Sequence, residues 1–141
     1  MAYITLNTNK LKSNFEFINT LFEKHNINWT VVSKMLCGNE IFIRELLNLD
    51  VKQVSDSRVS NLKVVKKINP QIETIYIKPP AKLSVRSVVK YADISLNTEL
   101  YTINMLNEEA MKQGKIHKII IMIEMGDLRE GVLGERLVDF Y

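Results

Sequence analysis

The sequence contains few of the features that stabilise secreted proteins or anchor membrane proteins. It has one cysteine, Cys37, among 141 residues, so no internal disulfide framework can form, and this usage suits a reducing compartment. Its first residues, Met-Ala-Tyr-Ile-Thr-Leu-Asn, lack the basic region and long apolar core of a secretory signal. No apolar run approaches the length of a membrane span. We therefore expect a cytoplasmic protein with no membrane partner.

A strong charge imbalance, metal-ligand clusters and nucleotide-binding motifs are also missing. Lys and Arg exceed Asp and Glu by only three, and the basic residues are scattered, so nucleic acid is not indicated as a partner. Neither histidine, His25 or His117, has a second histidine or a cysteine at ligand spacing, which argues against a metal site. Neither a G-x-G-x-x-G sequence nor a Walker A sequence occurs.

An alternation of strand-like and helix-like segments accounts for most of the chain. Short runs rich in β-branched residues alternate with segments whose apolar residues recur at helical spacing. The predicted strands cover residues 3–6, a run that ends at residue 34, and residues 51–56, 72–78, 94–97 and 117–125. The predicted helices cover residues 8–25, 40–49, 57–67, 84–90 and 99–112, and a further amphipathic segment starts at residue 133. This alternation predicts an α/β fold with a parallel sheet.

The ends of the predicted strands fall at a regular interval and carry polar or ionisable residues. They are Lys34, Asp56, Lys78, Asn97 and Glu124, which are 22, 22, 19 and 27 residues apart. One strand, one helix and two loops have this combined length, so the period predicts repeated βα units. In a (β/α)8 barrel, the carboxyl ends of the strands form the rim at which catalytic residues collect.

The chain is too short for a complete barrel. A (β/α)8 barrel needs roughly 250 residues, whereas these 141 supply about five of its eight strands. We therefore expect a partial (β/α)8 TIM barrel of about five parallel strands, with residues 1–141 as the N-terminal part of an incomplete barrel domain. An open doubly wound sheet also fits the length, but Gly38 stands alone where its phosphate-binding glycine loop is expected.

Lys34 is the candidate for the functional centre. It closes an apolar run in the stretch 27–39, and side-chain alternation puts Thr30, Val32 and Lys34 on one face of a short buried strand. Burial at the end of that strand would favour the neutral amine, which is the state that a Schiff-base nucleophile needs. The alternative is that the strand ends one residue earlier and Lys34 is an ordinary solvated loop lysine.

Four separated blocks resemble the N-terminal barrel domain of the alanine racemase family, the pyridoxal-phosphate enzymes of fold type III. Within that family they are similar to the ornithine racemase-like amino-acid racemases. The blocks are Val-Ser-Lys-Met-Leu-Cys-Gly at 32–38, Asp-Ser-Arg-Val-Ser-Asn-Leu at 56–62, Val-Lys-Tyr-Ala-Asp-Ile-Ser-Leu-Asn at 89–97 and Glu-Met-Gly-Asp-Leu-Arg-Glu-Gly at 124–131. They occur in the same order as in the family and run along nearly the whole chain.

The resemblance implies a cofactor, an activity and two site residues. The cofactor is pyridoxal 5'-phosphate (PLP), and Lys34 matches the family lysine that binds it covalently and serves as one of two acid–base groups at the substrate Cα. Arg129 matches the arginine that approaches the phenolic oxygen of PLP. The implied reaction is amino-acid racemisation, by removal of the Cα proton and reprotonation on the opposite face.

In the family, the second acid–base group is a tyrosine from a C-terminal domain, usually contributed by the partner subunit. These 141 residues do not include that region. We therefore expect a homodimer as the parent protein, and no complete racemase activity from this chain alone.

Two departures from the alanine racemase pattern bear on the substrate. Residues 35–38, Met-Leu-Cys-Gly, contain no tyrosine that could help to hold the cofactor phosphate, and Glu124 and Asp127 replace the usual aspartate and methionine of the later loop. Both changes weaken the case for alanine, and the similarity to ornithine racemase-like enzymes favours a basic amino acid such as ornithine. Its distal ammonium would need a carboxylate, for which Asp56, Glu124 and Asp127 are the candidates at the rim. A structural ion pair with a neighbouring cation is the other interpretation of each.

Two other functions fit the same sequence. A non-catalytic protein of the same barrel superfamily would hold PLP through Lys34 and manage its supply. A purely structural half barrel would pair with another copy and so cover its open strand edges.

Overall fold

The structure, a computed structural model, describes residues 3–140, which form one five-stranded sheet with helices between the strands. The strands are β1 Val31–Val32, β2 Gln53–Asp56, β3 Glu73–Tyr76, β4 Ile94–Asn97 and β5 Lys118–Ile121. The α-helices are α1 Thr8–Lys24, α2 Glu40–Leu47, α3 Val59–Ile68, α4 Val85–Tyr91 and α5 Leu100–Lys112. Short 3-10 helices occur at Lys34–Leu36, Lys82–Ser84 and Gly134–Phe140.

Every strand of the sheet pairs in parallel with the next strand along the chain. The spatial order is β1-β2-β3-β4-β5, and all four pairings are parallel. A doubly wound sheet reverses its strand order at one point, whereas a barrel adds each strand beside the previous one. The observed order therefore excludes the doubly wound alternative and confirms the predicted α/β fold with successive barrel strands.

The apolar core lies between the helices and one face of the sheet. One cluster joins Leu62 of α3, Tyr76 of β3 and Val88 of α4, and a second joins Ile43 of α2 to Val54 of β2. Tyr76 was expected to pack beneath a helix, and it does. The two clusters hold α2 to α5 against the sheet and so fix the strand ends relative to one another.

The opposite face of the sheet, here called the inner face, carries polar contacts at the amino ends of the strands. The Thr30 and Ser55 hydroxyls are 2.8 Å apart, and Lys118 Nζ donates to a Glu73 carboxylate oxygen at 2.8 Å. Gln53 donates to the other oxygen of Glu73. The hydrogen bonds from Lys118 and Gln53 hold the pKa of Glu73 below its usual value. Because the side chains here are polar and hydrogen-bonded to one another, this part of the inner face can remain in contact with water.

Several predicted element boundaries are wrong. Residues 3–6 form no strand, and Tyr3 and Ile4 are exposed because no neighbouring strand pairs with this segment in the described chain. The predicted strand 117–125 shortens to β5, whose ladder on β4 ends opposite Asn97. The segment from 133 becomes the 3-10 helix Gly134–Phe140, and Tyr141 lies outside the described residues.

Within residues 3–140, no helix is both long and apolar enough to cross a membrane. The same residues contain no cluster of three or more His, Cys, Asp or Glu side chains suited to a metal ion.

His117 gives the fold a testable pH dependence. The side chain is half-buried, with Nε2 2.9 Å from the Ser95 hydroxyl, and burial lowers the pKa of His117 below its usual 6.5. The unfolded chain therefore binds this proton more readily than the folded chain. The histidine contribution to the free energy of unfolding is flat above about pH 6.5 and becomes unfavourable as the pH falls below it.

Urea denaturation at a series of pH values between 7.5 and 5 would measure this effect, in comparison with His117→Asn. We expect the variant to lose less stability across this range than the original chain. An equal loss in both proteins would show that His117 does not contribute to the acid sensitivity.

Candidate functional site

Lys34 lies where β1 leaves the sheet. The ladder with β2 extends one residue beyond β1, because the Ser33 amide donates to the Ser55 carbonyl at 2.9 Å, and Lys34 then opens a 3-10 turn. The Lys34 side chain is exposed, and within residues 3–140 its amine has no hydrogen bond or ion pair. The prediction of a buried strand around Lys34 is therefore wrong. Val32 is 45% exposed because nothing in the described chain covers the inner face at this level.

The register of the sheet assigns a side to each residue near Lys34. Val31 pairs with Val54, which belongs to the helix-facing core, and Val32 pairs with Ser55 on the inner face. Since side chains alternate along a strand, Ser33 follows Val31 to the helix side, where it is buried. Ser33 has helical backbone (φ −89°, ψ −1°), so the alternation ends there, and the Lys34 side chain leaves from the 3-10 turn at the carboxyl end of β1.

The turn after Lys34 depends on left-handed backbone at two residues. Cys37 has φ 49° and Gly38 has φ 69°. A Cβ at Gly38 would lie 2.9 Å from the Asn61 side-chain oxygen, so glycine is required there by both backbone and space. The Cys37 side chain is exposed.

Asp56 is fully buried at the carboxyl end of β2, and its carboxylate is held from the helix side. One oxygen accepts a hydrogen bond from the Ser33 hydroxyl at 2.8 Å and another from the Asn61 side-chain amide at 3.1 Å. The other oxygen accepts from the Arg58 backbone amide at 2.8 Å, immediately before α3. The predicted start of this helix at residue 57 is therefore wrong, because the helix begins at Val59 and the Asp56 carboxylate accepts the amide of Arg58, the residue before it.

Arg129, Glu124 and Asp127 belong to the loop after β5. One Glu124 carboxylate oxygen accepts from the backbone amides of Gly126 and, at 3.1 Å, Leu128, so this side chain closes the loop on itself. Asp127 and Arg129 are exposed, and the Arg129 backbone amide lies 3.4 Å from an Asp127 carboxylate oxygen.

The loop closes against glycine. Gly131 has φ 149°, and a Cβ there would lie 2.4 Å from the Glu124 backbone nitrogen. The loop therefore needs glycine at this position, where its two ends meet.

The predicted site residues share a rim but are not joined by contacts. In a parallel sheet the carboxyl ends of all strands face the same way, so Lys34 after β1 and the loop after β5 lie on one end of the sheet. Within residues 3–140, no hydrogen bond or ion pair links Lys34 to Asp56, Glu124 or Asp127. Direct contact of Asp56 with a substrate remains a prediction, and such a contact would have to displace donors that its carboxylate already has.

The residues present fit a covalently bound aldehyde cofactor. A primary amine attacks an aldehyde in its neutral form, and the exposed Lys34 amine, which has no hydrogen bond or ion pair within the described chain, is accessible to such a cofactor. The exposed guanidinium of Arg129 can donate to an anionic ring oxygen.

Sequence reasoning missed two residues beside Lys34. Ser33 and Asn61 both donate to the buried Asp56 carboxylate, and neither is a chemically unusual residue type. The signal that could have found Ser33 is alternation along the strand, because Ser33 follows Val31 to the helix side, which Asp56 shares through Val54.

Comparison with known proteins gives two curated relatives. No protein-family model matches the chain. The chain is 41% identical to ornithine racemase of Acetoanaerobium sticklandii over 128 residues, which are 91% of this chain and 36% of the relative. It is 24% identical to lysine racemase of Thermotoga maritima over 136 residues, which are 96% of this chain and 38% of that protein. The chain therefore spans little more than a third of the length of either relative.

The fold is similar to a solved structure, that of PipY of Synechococcus elongatus, determined without PLP. The TM-score is 0.71 at 15% identity, over 87% of this chain and 60% of the PipY chain. At this identity the likeness concerns the fold alone. Together with the four blocks that contain Lys34, Asp56, Asn97 and Arg129, the racemase relatives and the shared barrel fold show that the chain belongs to the alanine racemase N-terminal-like family.

Proposed function

We propose that this chain is the N-terminal part of a PLP-dependent amino-acid racemase, and that Lys34 is the residue to which PLP binds. The observation that carries the proposal is the Lys34 amine itself, which stands exposed and without a partner at the carboxyl end of β1 in the described chain. The relatives named ornithine racemase and lysine racemase support the activity and favour a basic amino acid as substrate.

The residues of this chain would perform half of the proton transfer. PLP, when bound, withdraws electron density from the substrate Cα and so makes loss of the Cα proton feasible. Lys34 would hold the cofactor and then move the proton at Cα on its own side of the substrate. Arg129 would donate to the phenolic oxygen of PLP. Racemisation needs a second group on the opposite side of Cα, and the resemblance assigns that group to a region beyond these residues.

Substrate selection would involve the loop after β5. Asp127 is exposed, and its described hydrogen bond is the long 3.4 Å contact from the Arg129 amide. Glu124 uses one carboxylate oxygen to close the loop, which makes it a positioning group as well as a candidate ligand. We propose that Asp127 meets the distal ammonium of ornithine, since an opposite charge at the rim would favour a basic amino acid over alanine.

The parent protein would be a homodimer. The resemblance assigns the second acid–base group to the partner subunit, which supports this assembly. The open edges of β1 and β5 would favour association of this chain by itself.

A second candidate function is PLP binding without racemisation. The observation in its favour is that Lys34 is the one residue of this chain to which the family resemblance gives an acid–base role. A protein with that group alone could hold PLP through Lys34 and release it, which matches a role in cofactor supply.

The first prediction is that PLP labels Lys34 selectively. The chain is mixed with PLP, reduced with borohydride and digested, and the modified peptide is located by mass spectrometry. We expect one adduct at Lys34, which disappears in Lys34→Ala and persists in Lys78→Ala. Lys78 is a matched control because it is also an exposed lysine near the end of a strand. Weak labelling spread over many surface lysines would contradict the proposal.

The second prediction concerns Arg129. Arg129→Ala should raise the PLP concentration for half-maximal labelling of Lys34 about tenfold, the size expected for one charge-assisted hydrogen bond. The control is Arg136→Ala, which removes another exposed arginine from the same C-terminal segment. If the two variants bind PLP equally well, Arg129 does not contact the cofactor.

The third prediction concerns substrate choice. Exchange of the Cα hydrogen for deuterium requires removal of that proton by one group, so it can be followed by proton NMR with the chain, PLP and either ornithine or alanine in heavy water. Asp127→Asn should slow exchange of ornithine severalfold more than exchange of alanine. An equal effect on both amino acids would rule out a selectivity role for Asp127.

A further inference from the structure

We propose that Asp56 is a positioning residue for Lys34 and acts through Ser33 and Asn61, on the helix side of the sheet. The inference rests on the proposed role of Lys34 as the PLP-binding residue. It gives a function to a buried polar cluster that contacts the backbone next to Lys34 but not the Lys34 amine.

The cluster joins three separate segments at one carboxylate. Asp56 ends β2, Ser33 follows β1, and Arg58 and Asn61 belong to the start of α3. Three donors meet the carboxylate: the Ser33 hydroxyl at 2.8 Å, the Arg58 amide at 2.8 Å and the Asn61 amide group at 3.1 Å. Asp56 is 0% exposed, Ser33 1% and Asn61 4%, so water does not replace these donors.

A buried carboxylate restrains its donors strongly. Loss of any one donor would leave an anionic oxygen short of a hydrogen bond in a site without water, which costs more than the loss of an exposed hydrogen bond. The Ser33 hydroxyl therefore stays on the helix side of the sheet. Ser33 has helical backbone (φ −89°, ψ −1°) and is the residue before the 3-10 turn that Lys34 opens, so the hydrogen bond that fixes Ser33 also fixes the backbone from which the Lys34 side chain extends.

Asn61 restrains the other end of the same turn. Gly38 packs so closely on Asn61 that a Cβ would lie 2.9 Å from the Asn61 side-chain oxygen. Ser33 is hydrogen-bonded to Asp56, and Gly38 packs against Asn61, which is itself hydrogen-bonded to Asp56. The segment between residues 33 and 38 carries Lys34. We call Ser33, Asp56 and Asn61 the turn clamp.

The clamp is needed because Lys34 has no restraint of its own. Within the described chain the Lys34 amine makes no hydrogen bond and no ion pair, so its direction depends on the backbone that carries it. A group that must reach both a cofactor and the Cα of a substrate loses rate steeply when its position is loosened. A buried cluster that fixes the backbone on either side of Lys34 can supply this precision and leave the amine itself free to react.

The test uses two variants of the clamp and one matched control. Ser33→Ala removes one donor while leaving the buried charge with two, and Asp56→Asn removes the charge. The control is Ser95→Ala, because Ser95 is also a fully buried, helix-facing serine whose hydroxyl is hydrogen-bonded, to His117 just before β5 and to Asn97 of β4. Urea denaturation of all four proteins measures their global stability.

Two measurements separate local positioning from general destabilisation. Hydrogen exchange without PLP reports the turn itself, through the Leu36 and Asn39 amides that donate to the Ser33 and Leu36 carbonyls at 2.9 Å. Borohydride trapping with PLP reports the share of label on Lys34 relative to other lysines. We expect Ser33→Ala and Asp56→Asn to raise exchange in residues 34–39 about tenfold or more, the size expected when a buried acceptor loses its donor. Both should also lower the share of label on Lys34.

Ser95→Ala should leave the exchange of this turn and the labelling of Lys34 unchanged, even where it lowers global stability as much as Ser33→Ala does. If the original chain labels at Lys34 and Ser33→Ala labels equally well with unchanged exchange, the positioning role is overturned while the proposed function stands. If the original chain does not label at Lys34, the proposed function is overturned. In that case hydrogen exchange still tests whether the turn clamp restrains residues 34–39. Unchanged exchange of this turn in Ser33→Ala would overturn that restraint too.

Should Asp56→Asn fail to fold, Ser33→Ala decides the matter, since it keeps the carboxylate and two of its donors.

Discussion

A carboxylate that is removed from water must be supplied with hydrogen-bond donors by the protein, and this requirement at Asp56 organises one end of the sheet. Its three donors come from the exit of β1 and the start of α3, so one buried charge ties two strands and a helix together. The geometry of the Lys34 turn follows from this arrangement. Ser33 is held on the helix side, and the 3-10 turn that carries Lys34 begins at the next residue.

The two faces of the sheet are therefore used differently. The helix-facing side contains the apolar clusters and the turn clamp, which together give a rigid support. The inner face carries polar pairs at the amino ends of the strands and the exposed Val32 near the rim, and the exposed Lys34 opens the turn that follows β1. The packing on the helix side thus fixes the positions of the strand ends, and Lys34 at one of those ends remains accessible. Such an arrangement is suited to a cofactor site.

Much of the fold could be predicted because it depends on local patterns. The spacing of strand ends at Lys34, Asp56, Lys78, Asn97 and Glu124 reflects the length of a βα unit, and the structure confirms β2, β3 and β4 and the five helices near the predicted positions. Strand length was less predictable. The apolar run around 117–125 pairs only over β5, because ladder formation depends on the length of the neighbouring strand β4.

The surroundings of the site could not be predicted from pattern alone. An apolar run before Lys34 predicted burial, but burial depends on what covers the inner face, and the described chain leaves that face open. Asp56 drew attention as a rim carboxylate. Its direction followed only from the register of β1 on β2, which shows that it shares a side with Ser33.

The most direct test of the central claim, that Lys34 holds PLP in a defined site, is circular dichroism in the absorption band of the cofactor during titration of the chain with PLP. A cofactor fixed in one asymmetric orientation acquires a dichroic signal, whereas PLP attached loosely to surface lysines acquires almost none. We predict a signal that saturates at one PLP per chain and disappears in Lys34→Ala. A signal of equal strength in Lys34→Ala, or no signal in the original chain, would contradict the assignment.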